Sequence, residues 1–149
     1  MTTFDQIETT LDLPHPPQRV WRAITTPEGL NQWFGDRVTM KLEEGSPILF
    51  EWDAHGEAGG IIQTVEPIHK FAYRWRATGI PEEVAMNETN STLVTFELTP
   101  TPTGTRLRVV ETGFATLAPD LREKAFRENT NGWAAELDEL VTFLSGQPV

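Results

Sequence analysis

The sequence predicts an α+β domain in which a curved antiparallel sheet of about seven strands grips one long C-terminal helix. Three observations carry this. Short segments of alternating apolar and polar residues follow one another from residue 37 to residue 110 with no long helical pattern between them. Their connectors are mostly short and rich in Gly, Pro, Asp and Glu, as hairpins require. Residues 119–144 carry one apolar stripe at helical spacing, which is the available cover for a sheet face.

The first strand is read over residues 5–13, where Ile7, Leu11 and Leu13 share one parity and Glu8, Thr10 and Asp12 the other. Pro14, Pro16 and Pro17 stop it. Pro17 suits the first turn of a helix, and Val20, Trp21 and Ile24 give that short helix an apolar face. Thr26, Pro27 and Glu28 read as cap, first position and first turn of a second short helix, with Leu30, Trp33 and Phe34 apolar and Gly35 at its end. Strand patterns then follow at Val38, Met40 and Leu42, at Ile48, Phe50 and Trp52, and in an apolar run from Gly59 and Gly60 to Val65. They continue at Phe71, Tyr73 and Trp75, at Val94, Phe96 and Leu98, and at Leu107 and Val109. The turn at Thr101, Pro102, Thr103 and Gly104 is the clearest hairpin signal. The connector at 78–91 is longer, long enough for a flap that gates a site. In the last helix Phe126, Trp133, Leu137, Leu140 and Leu144 fall on one stripe, with Val141 beside it. At about 1.5 Å per residue that helix is close to 40 Å long.

Nothing divides the 149 residues, so 1–149 reads as one domain. Five Trp and eight Phe supply its bulky apolar content. With no Cys, disulfides and thiolate metal sites are excluded, and a reducing compartment fits. Residues 1–6 lack a basic start followed by an apolar run, so the expected location is cytoplasmic. No stretch approaches the ~20 apolar residues of a membrane span, and none is expected to insert stably. A net charge of −10 argues against nucleic acid and against anionic lipid. The sequons at Asn87 and Asn90 read as loop chemistry.

Three segments carry a resemblance. They are residues 17–35 (PQRVWRAITTPEGLNQWFG), residues 105–114 (TRLRVVETGF), and Asn131, Gly132 and Trp133 leading into Leu137, Leu140 and Leu144. With the element order, they resemble the helix-grip superfamily of START domains, polyketide cyclases and the birch-pollen allergen (SRPBCC). Within it, the chain is most similar to homologues of the activator of heat-shock-protein-90 ATPase. The resemblance implies a START-like domain with a cavity between sheet and long helix that takes an apolar small molecule, lipid or polyketide-like. Some members act instead as co-chaperones.

The residues expected to line such a cavity are Trp33, Phe34, Trp52, Phe71, Tyr73, Trp75, Phe114, Phe126 and Trp133, with Asn129 as a polar group on the helix stripe. Arg122, Asn129 and Thr130 place the mouth at the N-terminal half of the helix. Asn129 either anchors a polar group of a ligand or meets water or backbone near the mouth. Gly132 costs about 1 kcal/mol in a helix interior, and close packing on the sheet is its expected reason. Glu111 shares parity with Leu107 and Val109, which would turn it inward as a general acid–base candidate. A bulge before Gly113 that turns it to solvent is the expected outcome.

The three His do not cluster, and Glu66-Pro67-Ile68-His69 imitates a di-iron motif only outside the helix such a motif needs. No metal or cofactor is expected. Nucleophile elbow, P-loop and dinucleotide fingerprint are all missing. The leading expectation is therefore binding of an apolar small molecule. The alternatives are a cyclase or hydrolase using Glu111 with Asn129 and Tyr73, and a chaperone-binding domain.

Overall fold

The period-two segments assemble into one antiparallel sheet, seen in a computed structural model that describes residues 6–54, 56–77, 80–81 and 83–146. The strands are β1 (Gln6–Leu13), β2 (Arg37–Met40), β3 (Pro47–Trp52), β4 (Gly56–Glu66), β5 (Lys70–Arg76), β6 (Ser91–Thr101) and β7 (Gly104–Thr112). Their order across the sheet is β1-β7-β6-β5-β4-β3-β2. Helices α1 (Pro17–Thr25) and α2 (Pro27–Leu30) carry the chain from one edge strand to the other. After β7 come a 3-10 turn (Phe114–Thr116) and the long helix α3 (Pro119–Gly146). Position 5 of the first expected strand, the His55 hairpin tip and positions 78, 79 and 82 of the long connector lie outside the described residues.

The helix starts follow their sequence signals. Pro17 occupies the first position of α1. The Thr26 hydroxyl accepts the Gly29 N–H at 3.0 Å, capping α2. In the sheet, β4 shifts register between Ile62 and Thr64, the kind of irregularity that bends and twists a strand. Gly60 on the same strand pairs with Trp75, and a Cβ there would lie 2.1 Å from the Arg74 carbonyl oxygen. A residue without a side chain is therefore required where β4 crosses β5.

The inward face buries Ile48, Phe50, Ile62, Phe71, Tyr73, Val94, Phe96, Leu98, Leu107 and Val109. Val20, Trp21 and Ile24 of α1 and Trp133, Leu137, Leu140 and Leu144 of α3 join the same core. Each such side chain contributes roughly 1.5–3 kcal/mol by leaving water. Phe126, the first residue of the predicted stripe, belongs to a separate small cluster. It meets Phe114 edge-on at 5.3 Å beside Leu117 and Ala125. Two apolar residues depart from the pattern. Leu42 lies beyond the end of β2 and Val141 flanks the α3 stripe, and both are exposed.

Candidate functional site

Strand β7 stays in register with β6 to its end, pairing Glu111 with Val94 and Thr112 with Leu93. The bulge expected before Gly113 does not form. The chain turns only at Gly113 itself, whose φ of 102° lies in the left-handed region. Glu111 therefore keeps the inward parity of Val109 and is buried, with 1% of its surface exposed.

Its carboxylate is held by neutral donors. Oε1 accepts the Trp133 indole N–H at 2.8 Å. Oε2 accepts the Trp75 indole N–H at 2.9 Å, the Asn129 amide at 2.9 Å and the Thr92 hydroxyl. Burial pushes the Glu111 pKa up, and the four hydrogen bonds oppose that shift without cancelling it. One Asn129 amide N–H thus turns to a buried side chain of the same protein.

Beyond this cluster lies a cleft of about 550 Å³. Phe34, Trp52, Ala58, Trp75 and Trp133 give it apolar walls. Glu57, Arg76, Glu128, Asn129, Asn131, Gly132, Ala135 and Glu136 complete it. It runs along the middle of α3, from Glu128 to Glu136, opposite β3, β4 and β5. Of the three residues expected at its mouth only Asn129 lines it: Arg122 donates to the Leu117 carbonyl and Thr130 to the Phe126 carbonyl. Glu111 is not on its surface. The indoles of Trp75 and Trp133 and the Asn129 amide lie along the cleft and reach back to Glu111. A proton held on Glu111 therefore has no direct contact with a molecule in the cleft.

Of the predicted lining residues, Phe34, Trp52, Trp75, Asn129 and Trp133 come together there. Trp33 is buried against α1, donating its indole N–H to the Ala23 carbonyl at 2.9 Å. Phe71 and Tyr73 lie in the main core, and Phe114 and Phe126 in the small cluster. The Tyr73 hydroxyl is buried with no hydrogen-bond partner among the described residues. Burial, then the charges of Glu111 and Glu136, push that phenol well above its ordinary pKa.

Gly132 departs from its expected reason. A Cβ there would meet no atom within 4 Å, so packing against the sheet does not require it. The connector contributes no described residue to the cleft. Its Thr89 carbonyl instead accepts the Ala118 N–H, and the Glu88 carbonyl accepts the Thr116 hydroxyl. Glu66 and His69 flank the β4–β5 turn, and no group of three metal-ligating side chains occurs among the described residues.

Sequence reasoning missed Thr92, Glu57, Arg76, Glu128 and Glu136. Glu136 had a signal, since it follows Trp133 by three residues and Asn129 by seven. Its carboxyl is pushed up to about 7 by burial, then by Glu139 and Asp36. A second groove, of about 320 Å³, runs beside Thr10, Lys70, Glu97 and Arg108. Three of its charges form ion pairs within it: Arg108 meets Glu97 at 2.6 Å and Lys70 meets Glu97 at 3.8 Å.

The sequence model of the Activator of Hsp90 ATPase homolog 1-like protein family matches residues 14–145. Among solved structures, protein MLL2253 from Mesorhizobium loti is 27% identical with a TM-score of 0.80, the match covering 97% of this chain and 99% of that one. DynU16, a putative protein in the dynemicin biosynthetic locus, is 21% identical with a TM-score of 0.77. That match covers 95% of this chain but only 48% of DynU16, so the chain spans about half its length. Aha1 from Colwellia psychrerythraea, solved as a dimer, is 19% identical over 91% of this chain and 92% of that one, with a TM-score of 0.72. The last two likenesses establish the fold alone. Among curated proteins, none matches this sequence. No helix among the described residues is long and apolar enough to cross a membrane.

Proposed function

We propose that this chain, which belongs to the Activator of Hsp90 ATPase homolog 1-like family, binds an apolar small molecule in the cleft between its sheet and its C-terminal helix. The observation that carries this reading is the cleft itself. Its volume of about 550 Å³ suits one ligand of ordinary organic size. Three indoles and a phenyl ring provide apolar walls for a lipid or polyketide-like aromatic body.

An acid–base enzyme in this cleft could not use Glu111, which stands behind the indoles; the carboxyls that line it are Glu57, Glu128 and Glu136. A chaperone-binding surface would need a contiguous apolar patch. Four large apolar side chains are exposed among the described residues, Leu42, Ile61, Val84 and Val141, and each only to 36–41%.

Because Trp52, Trp75 and Trp133 line the cleft, occupancy has an intrinsic reporter. Titration with neutral lipids, flavonoids and polyketide-like aromatics is expected to change Trp emission saturably for at least one class. A Trp52→Ala variant should bind that class at least several-fold more weakly. No saturable response across the whole panel would overturn the reading.

A further inference from the structure

The polar groups around the cleft are distributed unevenly. The donors of Trp75, Trp133 and Asn129 are directed to Glu111. Both indoles border the cleft, each stacked on one side by Phe34. Three carboxylates also line the cleft, Glu128 and Glu136 on α3 and Glu57 on β4 opposite. They can only accept hydrogen bonds when ionised. The one guanidinium, Arg76, is tied to backbone, donating to the Val84 carbonyl at 2.9 Å and to the Gly59 carbonyl at 3.3 Å.

We propose that the cleft selects an amine-bearing aromatic ligand in its cationic form, the ammonium lying among the carboxylates and the aromatic body against the indoles. This inference rests on the cleft being a binding site at all. Two interactions favour the cation. Indole faces attract positive charge through their quadrupole, and carboxylates make their strongest hydrogen bonds to charged N–H donors. The protein's net charge of −10 adds a long-range attraction of the same sign.

Glu136 is the most sensitive member of the set. The charges that act on it are Glu139 on its own helix and Asp36 after α2, and its own charge acts on Tyr73 of β5; Glu128, Glu57 of β4 and Arg76 of β5 line the same cleft. Acidic groups outnumber the single cation, so an arriving ammonium relieves repulsion and lowers the Glu136 pKa from about 7. Affinity for a permanent cation must then rise with pH through that region, because the ligand's own charge does not titrate.

The test is calorimetric titration of the whole protein with one ring system carrying different groups: naphthylmethylamine, naphthylmethanol, naphthoate and naphthylmethyl-trimethylammonium. The amine is expected to bind at least tenfold more tightly than the alcohol at pH 7.5, and naphthoate most weakly. Glu136→Gln should narrow the amine-to-alcohol ratio several-fold. It should also abolish the pH dependence of trimethylammonium binding between pH 6 and pH 8. Glu57→Gln, on the exposed rim, provides the amine-to-alcohol comparison if the first variant folds poorly. An alcohol that binds as tightly as the amine would overturn this inference and leave the cleft reading standing. If no naphthyl compound binds at all while a neutral lipid does, the selection for amines fails alone. If neither binds, both readings fail together.

Discussion

Glu111 is a carboxylate removed from water and held by four neutral hydrogen-bond donors: two indoles, an amide and a hydroxyl. Such a group is costly to bury, and its four hydrogen bonds are what make the position tolerable. The arrangement has a second consequence, because the same bonds orient Trp75 and Trp133 along the cleft. Glu111 is in this sense a positioning residue. Replacing it by Ala leaves four donors without their acceptor, at a cost of about 1–3 kcal/mol for each group that water cannot reach. Glu111→Ala is therefore expected to lose about 3 kcal/mol or more in urea unfolding. Glu111→Gln, which keeps the volume and one acceptor, should lose less. An unchanged urea midpoint for the Ala variant would show that the donors find other partners. The sequence could not reveal this cluster. Parity alone turned Glu111 inward, but Thr92, Trp75, Asn129 and Trp133 come from three other elements, and only their packing brings them together. Without visible partners, an outward bulge was the cheaper reading of a buried acid.

Among elements, the strands were the most legible because alternation over a half-buried sheet is a local pattern. The apolar parity at Phe71, Tyr73 and Trp75 and at Val94, Phe96 and Leu98 corresponds to the buried face throughout. Helix α3 was legible as an element but less so in its parts. Its stripe reads as one line in sequence, yet Phe126 closes a separate cluster with Phe114, because the 3-10 turn after β7 packs under the first turns of α3. Gly132 shows the limit most directly. Its position between Asn131 and Trp133 suggested a tight approach to the sheet, whereas the backbone there borders open space. Helix propensity then acts without opposition, and Gly132→Ala is expected to raise stability by about 1 kcal/mol. A thermal or urea midpoint that falls instead would mean that α3 relies on the flexibility of that glycine. The same methyl group borders the cleft, so reduced binding of bulky ligands with increased stability is the expected pair of effects.

At the scale of the whole molecule, charge sets the pH response. The exposed ion pairs, such as Arg37 with Glu51 and Arg106 with Asp12, sit in high dielectric and contribute little each. The excess of 22 acidic over 12 basic residues works against compactness near neutral pH. Two carboxyls add a directed effect. Glu111 and Glu136 both have raised pKa values in the folded state. A folded state that binds protons more tightly than the unfolded chain is favoured at low pH. Its advantage is complete below the unfolded carboxylate value and is lost as pH rises through the folded one. For Glu136 that window runs from the ordinary 4.5 to about 7. Two groups act in the opposite sense. Glu8, lowered by Arg108, and His15, lowered by burial and Arg19, lose stability on acidification, but Glu8 is exposed and His15 only half-buried, so the effect is small. Stability should therefore be greater near pH 5 than near pH 8, with acid unfolding only below the carboxylate range. Urea midpoints measured at one-unit intervals from pH 5 to pH 8 should fall steadily. In Glu136→Gln the fall should be shallower by on the order of 1 kcal/mol, allowing for partial solvent screening. A midpoint that climbs from pH 5 to pH 8 would mean that the acidic groups around the cleft are stabilised by partners other than those described.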